Sequence, residues 1–189
     1  MKYLFVCFLV ILVPGCASIN NRLDPSRISL TQVPSNSGII IISAGAPKRC
    51  VTTSTFLKVL PATSKYNNAP IALLGVDSYA LKSDFADHQG NVHTLALPAG
   101  DYYLAAWIAN PYVTALRVPK ADFSIRAGEV VYMGEYFMDV ACAWNTVSNY
   151  RDQRERDLLI LRIKNPELGN TTIITRIPRF SGYAVGAEN

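Results

Sequence analysis

The stretch NVHTLALPAGDYYLAAWIA, residues 91–109, limits the fold more than any other part of the chain. Val92 to Leu97 reads as one strand and Tyr102 to Ala109 as the next. Pro98-Ala99-Gly100-Asp101 between them predicts a tight turn and therefore a hairpin, because proline and glycine supply the dihedrals that a reversal needs. Alternate residues of the second strand are Tyr102, Leu104, Ala106 and Ile108 on one side, and Tyr103, Ala105 and Trp107 on the other. Both sides are apolar. Such a strand is stable only in the middle of a sheet with cover on both faces, so a layered β domain is required.

The flanking segments agree. GIIIIS, Gly38 to Ser43, is a β-branched run expected as a strand buried on both faces. A further strand is expected over Ser54 to Leu60, and one or two over Ile71 to Phe85, with Gly75 as a bulge. ADFSIRAGEVVYMGEYFMDV repeats the pattern of strand, turn and strand: Ala121 to Arg126, Ala127-Gly128-Glu129, then Val130 to Val140. Gly134, inside that long strand, marks a bulge or a close neighbour. The periodicity then changes. In RDQRERDLLILRIKNPEL, Arg151 and Glu155, and Asp152 and Arg156, stand four residues apart, and the spacing predicts a helix from Asp152 to Lys164; a strand over Leu158 to Ile163 is the rival reading. TTIITRI, Thr171 to Ile177, is a last strand. Seven or eight short strands and one C-terminal helix make the expected fold mainly β, an immunoglobulin-like or transthyretin-like β-sandwich.

The start of the chain has a different character. Lys2 precedes an unbroken apolar run from Tyr3 to Val13, too short to span a bilayer as a helix and of the length of a secretory signal. The run ends in Val13-Pro14-Gly15-Cys16, which resembles the bacterial lipobox. That resemblance implies cleavage before Cys16, a diacylglycerol thioether on its sulfur and an acylated amino group. More than one acyl chain anchors stably where one does not. Ala17 stands where aspartate would retain such a protein in the inner membrane, so the resemblance implies the bacterial outer membrane, with the domain facing the periplasm. The expected organisation is a leader over 1–15, a lipidated tether over 16–37, a sandwich with its late helix over 38–180, and a loose tail over 181–189.

LPAGDYYLAAW and RAGEVVYMGEY also resemble paired signatures of small, uncharacterised bacterial lipoproteins built on a β-sandwich. In these a Pro-x-Gly-x-Tyr hairpin precedes one strand and a Gly-x-x-x-Tyr-x-Gly strand follows. RERDLLILRIKNPEL is similar to a helical segment found after that sandwich. The resemblance spans residues 92 to 177. It implies a fold and an address and assigns no catalytic residue.

Composition narrows the function classes. Half of the 189 residues are hydrophobic and 17% charged, with a net charge of +4, so the chain has the means to build a core. Its basic residues are scattered, which argues against nucleic acid as a partner. Arg151, Arg154 and Arg156 alternate with Asp152, Glu155 and Asp157, a mixture that reads as a solvated face. Of the four cysteines, Cys7 would leave with the leader and Cys16 would carry lipid. Cys50 and Cys142 remain. In an oxidising compartment they would form a disulfide closing a loop of roughly 90 residues, worth about 4 to 5 kcal/mol in the chain-entropy model; two separate buried thiols are the alternative.

The catalytic motifs that a sequence can reveal are missing: no Gly-x-Ser-x-Gly elbow, HExxH, P-loop or dinucleotide fingerprint occurs. Asp84, Asp87, His88 and His93 could converge on a metal ion only if the turn folded inward. A polar turn is the simpler reading, and no metal or cofactor is expected. Among the acids Asp77, Asp101, Glu129, Glu135 and Asp139, the last two share one face of a strand. The expectation is a non-enzymatic interaction or structural module whose partners are the membrane, through its anchor, and an envelope protein. A glycan- or peptidoglycan-binding module is the alternative. It rests on the aromatic residues, of which Trp107 and Trp144 are the candidate ligand-facing pair, though most would fill the core. A lipidated subunit of a secretion complex is a third reading.

Overall fold

The structure, a computed structural model, describes residues 33–47, 55–77, 82–108, 117–139 and 148–185. Two sheets pack face to face, with a helix added near the C-terminus. The first sheet has the order β4-β1-β7-β8, built from β1 (Ser37–Ala46), β4 (Gln89–Pro98), β7 (Val130–Met138) and β8 (Ser148–Arg151), with the two-residue β9 (Ile174–Thr175) also pairing β7. The second has the order β10-β6-β5-β2-β3, built from β2 (Thr55–Pro61), β3 (Ala72–Gly75), β5 (Gly100–Ile108), β6 (Arg117–Ile125) and β10 (Gly182–Val185). The pairs are antiparallel except β1 with β7 and β7 with β9. This is the β-sandwich that the alternation of apolar residues demanded.

The layers follow from strand parity. Ile40, Ile42, Val131, Met133 and Tyr136 face inward and meet Leu57, Val59, Leu104 and Ile125 of the second sheet. Ile39, Ile41, Val130 and Tyr132 face outward and are covered by Leu158, Leu161 and Leu168. The first two of these belong to α1 (Arg154–Lys164), and Leu168 to the one-turn α2 (Pro166–Gly169). The isoleucine run is therefore buried on both faces, as its unbroken apolar character required. α1 carries acids in its first turn and bases in its last, matching the helix dipole, and Pro166 prevents its continuation.

Two expectations about connections and two about the C-terminal segment need correction. Residues 98–101 do not close a hairpin: β4 pairs β1 in one sheet while β5 pairs β2 and β6 in the other. Ala127-Gly128-Glu129 likewise carries the chain from β6 in the second sheet to β7 in the first. Turn chemistry shows where a chain bends, but not whether the next strand returns beside the last or crosses to the opposite layer. Both corners close on the start of β1, where Ala99 N donates to Asn36 O and Gly128 N to Ser37 O. Gly38 is required there, since a Cβ would lie 2.4 Å from Arg126 O and 2.6 Å from Ile125 Cγ1. The last strand, expected over Thr171 to Ile177, shrinks to Ile174–Thr175. The segment expected as a loose tail instead supplies β10, paired with β6.

The first corner is tied by Tyr102, whose hydroxyl donates to Pro98 O at 2.8 Å while its ring stacks on Phe123. This is the logic of a tyrosine corner in Greek-key sandwiches. Tyr102→Phe should therefore cost about 1 kcal/mol in urea unfolding with little change in denaturant slope. A variant as stable as the parent would mean that the hydroxyl contributes nothing to the corner.

Candidate functional site

The densest group of polar side chains lies on the outer face of the first sheet, beneath α1. It is created by a bulge in β7. Ile41 pairs with Tyr132 but Ser43 pairs with Glu135, so Met133 and Gly134 together oppose Ile42. Gly134 takes φ +83°, and a Cβ there would lie 2.7 Å from Arg151 O. The extra residue inverts the parity of everything after it. Glu135 points outward, under the helix, and Tyr136 points into the core.

Glu135 is fully buried and faces two guanidinium groups and an imidazole. Its Oε1 lies 2.9 Å from His88 Nε2 and 3.0 Å from Arg156 Nη2, and its Oε2 lies 3.2 Å from Arg151 Nη2. His88 Nδ1 lies 2.7 Å from Asp87 Oδ1. Both ring nitrogens thus face carboxylate oxygens. Arg156 also reaches the buried Asp157, donating from Nε to Oδ1 at 2.9 Å. Asp157 Oδ2 accepts from Ser43 Oγ and from Tyr132 Oη, and Tyr132 Oη in turn accepts from Gln153 N at the helix start. Aromatic rings complete the packing: Phe85 stacks on His88 and lies under Arg156, and Phe137 lies under Arg151.

The electrostatics agree with the geometry. Burial works to lower the Arg156 pKa, but Asp157 and Glu135 beside it outweigh that cost and hold it above the ordinary value. Burial, joined by the Asp157 carboxylate, pushes the Tyr132 phenol far up and keeps it a donor. The hydrogen bond from His88 holds Asp87 below the usual carboxylate range. The polar ends turn toward one another, so the arrangement positions α1 against β1, β7, β8 and the loop before β4. Lys164, at the far end of α1, adds an ion pair to Asp84.

This outcome revises several expectations. Arg156 and Asp157 do not belong to a solvated face, and Arg151 reaches Glu135 rather than Glu155. Asp84, Asp87, His88 and His93 do not converge: Asp84 holds Lys164 and Val92 N, and the buried His93 meets Gly75 O. Among the described residues no group of three or more His, Cys, Asp and Glu side chains is placed to hold a metal. Glu135 is not paired with Asp139, which is exposed and accepts from Asn149. Asp77 is buried and accepts from Thr55 N; burial raises its pKa against that bond. Asp101 is exposed. Glu129 is forked by Arg176.

That last pair carries a pH prediction. Hydrogen bonds from Arg176 hold Glu129 below its ordinary value of 4.5. A lowered carboxyl contributes stability above the unfolded value and loses it as pH falls through the folded one. Glu129→Gln should therefore flatten the loss of stability below pH 4.5 by at most about 1 kcal/mol, since Arg176 remains in contact with solvent. An unchanged acid limb in denaturation curves would count against the pair.

The aromatic residues divide as the core reading expects. Tyr102 and Tyr136 fill the space between the sheets, and Tyr103 is buried with its hydroxyl on Ser64 O. Trp107 is half-exposed on the outer face of the second sheet, beside Phe56 at 5.7 Å between ring centroids and with Lys58 Nζ 5.3 Å from its own. A nearby cavity of about 230 Å³ is walled by Tyr66, Tyr103, Tyr183, Lys65 and Lys120. Cys16, Cys50, Cys142 and Trp144 lie outside the described residues.

The exposed large hydrophobic residues have a narrow distribution. They are Leu159, Ile163, Ile174, Phe180, Tyr183 and Val185, so among the described residues all lie between positions 159 and 185. Among the described residues, the sandwich strands that precede them contribute none. Comparison with protein-family models and with curated proteins finds no match to this chain.

Proposed function

We propose that this chain is a lipid-anchored lipoprotein of the bacterial outer membrane whose periplasmic β-sandwich acts as a non-catalytic interaction module, its partner an envelope protein met by the C-terminal segment. One observation carries the module reading: among the described residues the exposed large hydrophobic side chains are confined to positions 159–185, on α1, β9, β10 and the loop before β10. They form separate groups, Leu159 and Ile163 on α1 over the first sheet and Phe180 packed on Tyr183 beside the second, and exposed apolar side chains of this kind favour contact over solvent. The anchor rests on Val13-Pro14-Gly15-Cys16, and the polar residues 17–32, ahead of Val33 where the chain meets the sandwich, supply the reach from the membrane.

Photocrosslinking residues placed at Ile163, Phe180 and Tyr183, and at the exposed polar positions Asp101 and Arg126, test it in the intact envelope. Adducts to protein are expected from the first three and not from the last two. Equal labelling would remove the reading. The intact mass of the membrane-extracted, unreduced protein tests the anchor and the Cys50–Cys142 bond together: acyl groups on a chain beginning at Cys16, two hydrogens light, is the expected result.

The half-exposed Trp107 and Phe56 favour a second reading, a glycan platform on the second sheet. Soluble peptidoglycan fragments should then shift tryptophan fluorescence and protect it from acrylamide. No change at millimolar ligand would dismiss the platform.

A further inference from the structure

The outward side of α1 has its own pattern. Its exposed residues are Glu155, Leu159, Arg162 and Ile163. At 100° per residue they fall within an arc of about 100°, a single stripe. Leu159 is 58% and Ile163 76% exposed. They stay presented because the opposite side of the helix is fixed by Leu158, Leu161 and the Asp157 network. Neither Glu155 nor Arg162 forms a side-chain hydrogen bond or ion pair among the described residues. Each looks along the helix at leucine, since positions 158 and 159 occupy the places where an i,i+3 or i,i+4 partner would stand. A groove of about 330 Å³ runs beside the ridge, lined by Arg154, Glu155, Leu158, Leu159 and Arg162.

We propose that this stripe docks against the same stripe of a second copy of the chain, the two α1 helices running antiparallel about a two-fold axis. The charge order selects this occupant and this direction. Glu155 and Arg162 are seven residues apart, about 10.5 Å along the axis, with the leucines between them. Antiparallel pairing with the two-fold axis level with positions 158 and 159 sets each Glu155 against the other copy's Arg162, twice over. It lays the Leu159 ridge into the opposing groove and Ile163 along the aliphatic stem of Arg154. Parallel pairing would set like charges together. A surface that matches itself in this way is isologous, the form of interface that closes at two subunits.

The contact is small. One helix stripe falls short of the roughly 800 Å² per partner of a stable interface. The pairing therefore depends on confinement to a shared membrane, which raises effective concentration, and in this it rests on the lipid-anchored reading. A two-fold axis along the membrane normal leaves both tethers on one side.

The test uses two differently tagged copies of the full-length chain, co-expressed in a bacterial host and extracted in mild detergent. Wild-type copies should co-purify. Glu155→Arg or Arg162→Glu, present in both copies, should reduce recovery about tenfold. A Glu155→Arg copy co-expressed with an Arg162→Glu copy should restore it, because every carboxylate again meets a guanidinium. All four residues of the stripe are exposed, so far-UV circular dichroism should be unchanged. Wild-type copies that do not co-purify, or single reversals that co-purify as well as wild type, would overturn the proposal. A different envelope protein retained by the wild type and lost on charge reversal, without copy-to-copy recovery, would overturn the dimer while leaving the interaction reading intact. An unlipidated intact mass would instead remove the anchor.

Discussion

Gly134→Ala should lower the unfolding free energy by about 3 kcal/mol or more. Two costs add at this position. The backbone sits at φ +83°, where a side chain is strained, and a Cβ would lie 2.7 Å from Arg151 O, a backbone atom of the neighbouring strand. The bulge also decides which way Glu135 and Tyr136 point. A chain that relaxed the bulge to remove the clash would turn Glu135 into the apolar core and Tyr136 out of it. Gly128→Ala is the control. Its φ is +75°, yet nothing lies within 4 Å of its missing Cβ, so the conformational cost alone applies, about 1 kcal/mol. Urea unfolding of the two variants separates the contributions. Equal losses would mean that the close approach of β8 to Gly134 carries no energy.

Glu135→Ala is the second large effect, expected at about 3 to 5 kcal/mol. The carboxylate is fully buried, and its removal leaves Arg151, Arg156 and His88 gathered around an uncompensated gap. Arg156→Ala should also be costly, because it exposes Glu135 and Asp157 to each other's charge without the guanidinium between them. The double variant should cost clearly less than the sum of the two, since either change already breaks the same unit; a coupling above about 1 kcal/mol is expected. Simple additivity would show that the residues are neighbours without being a network. Hydrogen exchange offers a second view. In Glu135→Ala the amides of α1 should lose protection before those of β1, because the network is what joins the helix to the sheet.

These two residues also show where sequence reading reaches its limit. The glycine inside VVYMGEYFM announced a bulge or a close neighbour, and both are present. The consequence, that Glu135 and Tyr136 exchange faces, could not be read from alternation, because alternation is the pattern a bulge interrupts. Glu135 drew notice as a strand carboxylate. Its true partners come from the loop before β4, from β8 and from α1, separated from it by between 16 and 47 positions and gathered only by the packing of those elements. Arg151, Arg156 and Asp157 looked like a solvated run because opposite charges alternate along it. Helical geometry nonetheless turns Asp157 inward with Leu158 and Leu161. An acid beside leucines on the inward side of an amphipathic helix was the available signal.

The sequence by itself determined the layers. An isoleucine run apolar on both faces, and a Tyr-Leu-Ala-Trp strand apolar on both faces, can be satisfied only between covering layers, and burial follows from composition at a period of two. It also pointed to the helix, because RERDLLILRIKNP changes period and ends at a proline, but the structure decided between that helix and a strand over Leu158 to Ile163. Only the tertiary structure decided which sheet each strand joins. Pro98 to Asp101 and Ala127 to Glu129 have turn chemistry that serves a hairpin and a sheet-crossing corner equally well, and the choice is made by distant partners: Asn36, Ser37 and Gly38 at the start of β1. Only the tertiary structure brought His88, Glu135, Arg151, Arg156 and Asp157 together, and left Glu155, Leu159, Arg162 and Ile163 facing solvent. A local pattern records which side of a strand or helix must be buried; it does not record what that side is buried against.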